Sequence, residues 1–200
     1  MAASTTLQPE STVVAGEHFI HFASVGTPLP TDSPAVGGNP GDGIDSAFMF
    51  AGATGDTGAA WTIDVQVTDL YASQLLDVYR QIIQSKKASL TAPLIDWTGS
   101  ALTSATGGGT ITATPNGAKL VPPPSGVIDE MSAVVTIRDG GNFTRLVCER
   151  GLIAGSMTIP LVKTGFATLP ITYTALAPTV QPASWVLYST NDALLDLVGS

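Results

Sequence analysis

Two histidines, one cysteine and sixteen carboxylate side chains are what this chain offers to acid–base, nucleophilic or metal chemistry. His18 and His21 lie three residues apart in EHFIHFASV (17–25). In a strand that spacing puts them on opposite faces, so they cannot clasp one metal ion. Only Glu17 stands beside them, and both read as structural. Cys148, in FTRLVCE, reads as a small buried thiol. Being the only cysteine, it leaves no intramolecular disulfide and no cysteine-based metal site. The loop GGNPGDGID (37–45) has the texture of a phosphate or calcium loop. It lacks both the G-K-[ST] ending and the spaced carboxylates that such sites need. Gly155-Ser156 leads straight into a strand-like run, not into a nucleophile elbow. Asp129-Glu130 are neighbours whose side chains diverge in a strand, so they form no general-acid/base pair. No catalytic residue, cofactor or metal is expected, and the chain does not read as an enzyme.

The bulk composition points the same way. Apolar content is 44% of 200 residues, enough for a real core. Charged content is only 12%, about half of the usual quarter. So few charges suit a subunit that is largely covered by neighbours. Acidic residues outnumber basic ones sixteen to eight, and Lys86-Lys87 is the densest basic cluster. A net charge of −8 disfavours specific nucleic-acid binding. The N-terminus MAASTTLQPEST has no basic and apolar stretches of a secretory signal, and no run is long enough for a membrane span. A soluble, intracellular product is expected.

The elements read as mainly β. Residues 1–16 are an N-terminal arm, 17–178 one β-rich domain, and 179–200 a last strand and tail. AAWTIDVQVTD (59–69) alternates cleanly, with Ile63, Val65 and Val67 expected on a core and Thr62, Asp64, Gln66 and Thr68 on a polar face. Residues 69–87 carry Tyr71, Leu75, Val78, Tyr79, Ile82 and Ile83 at three- and four-residue spacing, which predicts a flanking helix. Asn116-Gly117 predicts a hairpin in 109–121, and Asp139-Gly140-Gly141-Asn142 another in 130–151. MTIPLV and FATLPITYTA form a third, with Leu169, Ile171 and Tyr173 on the buried face and Pro160 and Pro170 on the other. Prolines there blunt sheet edges against random pairing. The fold class is an antiparallel β-sandwich or barrel with one flanking α-helix.

SAVVTIRDGGNFTRLVCERG, the following MTIPLVKTG, and the ending FATLPITYTALAP resemble the major tail (tail tube) proteins of long non-contractile-tailed bacteriophages. The resemblance spans most of 45–178, in the order of elements. It implies a β-sandwich or barrel whose copies join as hexameric rings and stack into a tube that delivers DNA. It also implies tape-measure, tail-tip and tail-terminator partners, and a place in the virion after synthesis in the host bacterial cytoplasm.

Under that resemblance the polar face Asp64, Gln66 and Thr68 is a candidate lumen lining, since an acidic wall lets a polyanion slide. The polar side of 132–138 is the alternative, with Arg138 against it. The loop 26–45, with Pro28, Pro30, Pro34 and Pro40, is a candidate subunit contact that orders on assembly, as are Pro160 and Pro170 at the sheet edge. Deleting 28–43 should then leave a folded monomer. Two other readings compete. A carbohydrate-binding module needs aromatic platforms, yet aromatics are only 6% and the three tryptophans are scattered. A capsid-decorating β-protein shares the catalytic silence.

Overall fold

The computed structural model describes residues 16–55, 58–71, 78–124, 127–153 and 167–191. Its strands are β1 (Glu17–Ser24), β2 (Met49–Phe50), β3 (Ala60–Tyr71), β4 (Val78–Leu94), β5 (Thr110–Thr114) and β6 (Gly117–Val121). Then come β7 (Glu130–Asp139), β8 (Asn142–Ile153), β9 (Leu169–Ala175) and β10 (Val186–Ser189). One helix, α1 (Gly99–Ala105), lies between β4 and β5. The main sheet is eight-stranded and antiparallel, in the order β2-β1-β7-β8-β9-β4-β3, with β10 also paired to β8. β5 and β6 form a separate two-stranded hairpin.

The alternation of β1 and β7–β8 decides how this sheet packs. Ile20 and Phe22 of β1 share a core with Ala133 and Val135 of β7 and with Leu90, Ala92 and Leu94 of β4. β1 and β4 are separated in the sheet by three strands, so the sheet curls over to bring them together. Leu169, Ile171 and Tyr173 of β9 join this core, as the sequence predicts. Pro170 is half-buried on the other face, directly opposite Pro93 of β4. A proline can lie opposite a proline only where neither N–H is needed by the pair. Pro160 and the rest of 154–166 lie outside the described residues, and with them the proposed hairpin between MTIPLV and FATLPITYTA.

On the outward face, Val134 and Val147 build a smaller core with Ala23 and Phe48. Two covering segments close it. The 26–48 loop supplies Leu29 and Ile44, and β10 supplies Tyr188.

The helix expected over 69–87 is not formed. β3 runs to Tyr71 and β4 starts at Val78, and the two pair antiparallel through Asp64↔Lys87, Val67↔Ile83 and Asp69↔Gln81. A register shift falls between Gln66 and Val67, where Gln84 has no opposite residue. Ile82 and Ile83 lie opposite Thr68 and Val67 on the two faces of the hairpin, so apolar residues fall on both sides and imitate a helical spacing. β-Branched and aromatic side chains in VYRQII also favour a strand once a partner is available. The helix that does form starts at Thr98, whose hydroxyl accepts from the Ala101 N–H at 3.2 Å. It ends at Gly107, at φ 71°, with the Gly107 and Gly108 N–H groups bonded to the Ser104 and Thr103 carbonyls. α1 sets Ala101 into the inner core.

Candidate functional site

The histidines, the cysteine and Glu130 are each engaged within the fold or closed to solvent. His18 and His21 do point to opposite sides of β1. His18 Nε2 meets Thr54 Oγ1 at 2.5 Å, while the His21 ring lies 5.5 Å from Phe50. Burial, and then the nearby Arg145 guanidinium, hold the His21 pKa below its usual value. Cys148 is fully buried and its thiol is pushed up to about 12 by that burial, which keeps it protonated and unreactive. Of the neighbours Asp129 and Glu130, Glu130 accepts a two-pronged pair from Arg150 at 2.5 and 2.7 Å.

Two charged residues escaped the sequence reading, and both organise the outward face. Arg145, on β8, is 1% exposed. Its Nε donates to Thr136 Oγ1, and its terminal nitrogens donate to the carbonyls of Asp32, Pro40 and Asp42 at 2.9–3.1 Å. Burial lowers its pKa, while the Asp42 and Asp32 carboxylates push it back up. One guanidinium thus gathers both arms of the 26–48 loop, because its fork offers several donors in fixed directions. The loop therefore has hydrogen-bond partners within its own subunit.

Glu149, two pleats along β8, does the same for the segment after β9. Its carboxylate accepts from the backbone N–H groups of Thr179, Val180 and Gln181 and from the Thr179 hydroxyl. The Gln181 bond leads in holding the carboxyl down to about 2, followed by the Thr179 hydroxyl. The signal for both residues was legible in principle. Phe143, Arg145, Val147 and Glu149 share one face of a strand, and ions interleaved with buried apolar residues need partners.

Among the described residues the β3–β4 hairpin is left bare. β9 covers the edge of β4 only from Ser89 to Leu94, so among the described residues the hairpin beyond Ala88 has no other strand beside it. Ile63, Val65, Val67 and Ile83 share its apolar face and are 43–66% exposed. The expectation that Ile63, Val65 and Val67 pack on the core is thus overturned. Their face continues from Trp61 and Leu90, which do join the core, but the strands run on past the body. An open groove of about 260 Å³ marks where they leave it, walled by His18, Trp61, Leu90, Val135 and Ile137. Trp61 stands edge-on to Trp185 at 6.2 Å, and its indole N–H is buried without a partner.

Of the candidate lumen residues, Asp64, Gln66 and Thr68 do share the opposite, polar face of this hairpin. Asp64 faces Lys87, Gln66 faces Ser85, and Thr68 faces Ile82. The face is therefore locally near neutral. The alternative lining, the polar side of 132–138, is corrected: Ser132 and Thr136 are fully buried beneath the covering segments. Among the loop prolines, Pro28 is exposed, Pro40 is half-buried, and Pro30 and Pro34 are buried within their own subunit.

A curled antiparallel sheet with a pinned outer face and an unpartnered amphipathic hairpin is a fold prepared for neighbours. Compared with known families, the chain matches the phage tail tube proteins over residues 5–194, and it belongs to that family. No curated protein matches it. It is a structural component of a phage tail. No helix among the described residues is long and apolar enough to cross a membrane.

Proposed function

We propose that this chain is the repeating subunit of the tail tube: six copies close a ring by joining their sheets, and rings stack around a channel through which DNA enters the host. The observation that carries this reading is the β3–β4 hairpin, amphipathic and bare on both faces between Thr62 and Val67. Apolar side chains exposed in a row cost free energy in water and are stabilised when a neighbour covers them. The polar face of Asp64, Gln66 and Thr68 then points to the lumen, with the Asp64 carboxylate opposing attachment of the phosphate backbone. Tape-measure, tail-tip and tail-terminator proteins are the expected partners at the bore and the ends.

Negative-stain imaging of the purified chain tests the assembly: tubes of uniform width or six-fold rings are expected, and compact monomers or trimers at all concentrations contradict it. Asp64→Lys tests the lumen. Phage carrying this substitution should assemble but eject DNA more slowly, and unchanged ejection removes the lumen assignment.

A further inference from the structure

The eight-stranded sheet leaves two apolar patches bare, one toward each of its ends. The first is the hairpin face of Ile63, Val65, Val67 and Ile83, with Lys86 opposite Val65. The second is the β1–β2 edge, where Met49 and Phe50 are 54% and 42% exposed. Phe50 lies against Phe19 and His21, with ring centroids 6.3 and 5.5 Å away. Being only two residues long, β2 covers β1 at His21 and Phe22 alone. Because both patches are exposed, neither covers the other within one subunit.

We propose that these patches are the two halves of one head-to-tail contact between copies of this chain. The hairpin of one copy lays its Ile63–Val65–Val67–Ile83 face on the Met49–Phe50 edge of the next. The proposal rests on the tail-tube reading and adds which surfaces meet. Three observations select a second copy as the occupant. The family is that of phage tail tube proteins, and a repeating head-to-tail assembly needs two different patches on each copy. The charges beside them are opposite, with Lys86 opposite Val65 on the hairpin's apolar face and the exposed Asp45 shortly before Met49 and Phe50. Finally, the hairpin face extends the subunit's own core surface, so a neighbour's apolar edge continues packing that Trp61 and Leu90 begin.

A mixing experiment tests the pairing. Val67→Glu spoils the hairpin half and Phe50→Glu the edge half, and both sites are exposed enough to leave the fold intact, which thermal melting verifies. In sedimentation, each variant alone should remain monomeric at about tenfold the concentration at which wild type assembles. An equimolar mixture should give a dimer and nothing larger, since the intact hairpin of one variant finds the intact edge of the other. Gln66→Glu, on the polar face, should assemble like wild type. A mixture that stays monomeric, or a single variant that forms tubes, overturns the pairing and leaves the tail-tube reading standing. Wild type that never assembles overturns both.

Discussion

The β7–β8 pair and the β3–β4 pair are both long antiparallel hairpins with alternating side chains, and they meet opposite fates. On β7–β8 the outward face carries Ser132, Val134, Thr136, Arg145, Val147 and Glu149, all of them buried. The chain lays two segments across it and ties each down with one ion, Arg145 for the 26–48 loop and Glu149 for residues 179–181. On β3–β4 none of the described residues returns to cover Ile63, Val65, Val67 or Ile83. Alternation states which face is apolar. It does not state whether that face is covered by its own chain or by a neighbour's.

The widest break in this comparison is removal of the loop. Deleting residues 28–43 takes away the carbonyls of Asp32, Pro40 and Asp42 that Arg145 binds and uncovers the core of Val134 and Val147 on which Leu29 packs. The folded monomer expected from the sequence is therefore not expected from the structure. The truncated chain should fail to show a cooperative melt, and a normal melt would mean that the loop contributes little to the fold.

Arg145→Met asks how much of that effect belongs to one side chain. Hydrogen bonds to a charged group contribute roughly 1.5–3 kcal/mol each, and apolar packing recovers part of the loss. A net destabilisation of about 3 kcal/mol in urea unfolding is expected, together with faster proteolysis within 26–45.

Glu149→Gln should destabilise less, and its effect should depend on pH. The folded carboxyl titrates at about 2, below its ordinary value of 4.5, so the folded state favours the ionised form. The stabilisation is complete above the unfolded value and is lost as pH falls toward the folded one. The gap in melting temperature between wild type and Glu149→Gln should be full near pH 6 and shrink between about pH 4 and 2. A gap that does not change with pH would assign the loss to something other than ionisation.

The smallest effect on the subunit, and the sharpest contrast, belongs to the bare hairpin. Ile83→Ser, at 66% exposed, should shift subunit stability by less than about 0.5 kcal/mol while weakening assembly. A large loss of subunit stability would mean that the hairpin face is covered within the monomer.

Much of the β7–β8 region was legible in the sequence because its signals are local. The Asp139↔Asn142 pair closes the turn over Gly140-Gly141 as expected. Asn116-Gly117 located the β5–β6 hairpin, though Thr114↔Gly117 closes the turn one residue earlier, over Pro115-Asn116. The mainly β class and the single helix hold, but that helix is Gly99–Ala105 instead of 69–87. GSALTSA carries little apolar periodicity, and its boundaries rest on the Thr98 cap and the Gly107 stop. The misreading of 69–87 has a physical source. A hairpin without a body behind it is free of strict alternation, so Ile82 and Ile83 sit on opposite faces, opposite Thr68 and Val67, and an apolar pair of this kind resembles a helical stripe. That Arg145 and Glu149 need partners could be read, but which segments they hold could not, because the partners lie about a hundred residues away for Arg145 and thirty for Glu149.

Hydrogen exchange on the free subunit and on the assembled particle tests the central claim, that the β3–β4 hairpin is the part of the fold completed by a neighbour. Amides of 60–70 and 78–88 should exchange quickly in the subunit and become strongly protected on assembly, while β7–β8 amides are slow in both states. A hairpin that exchanges as fast in the assembled particle as in the free subunit would contradict the account.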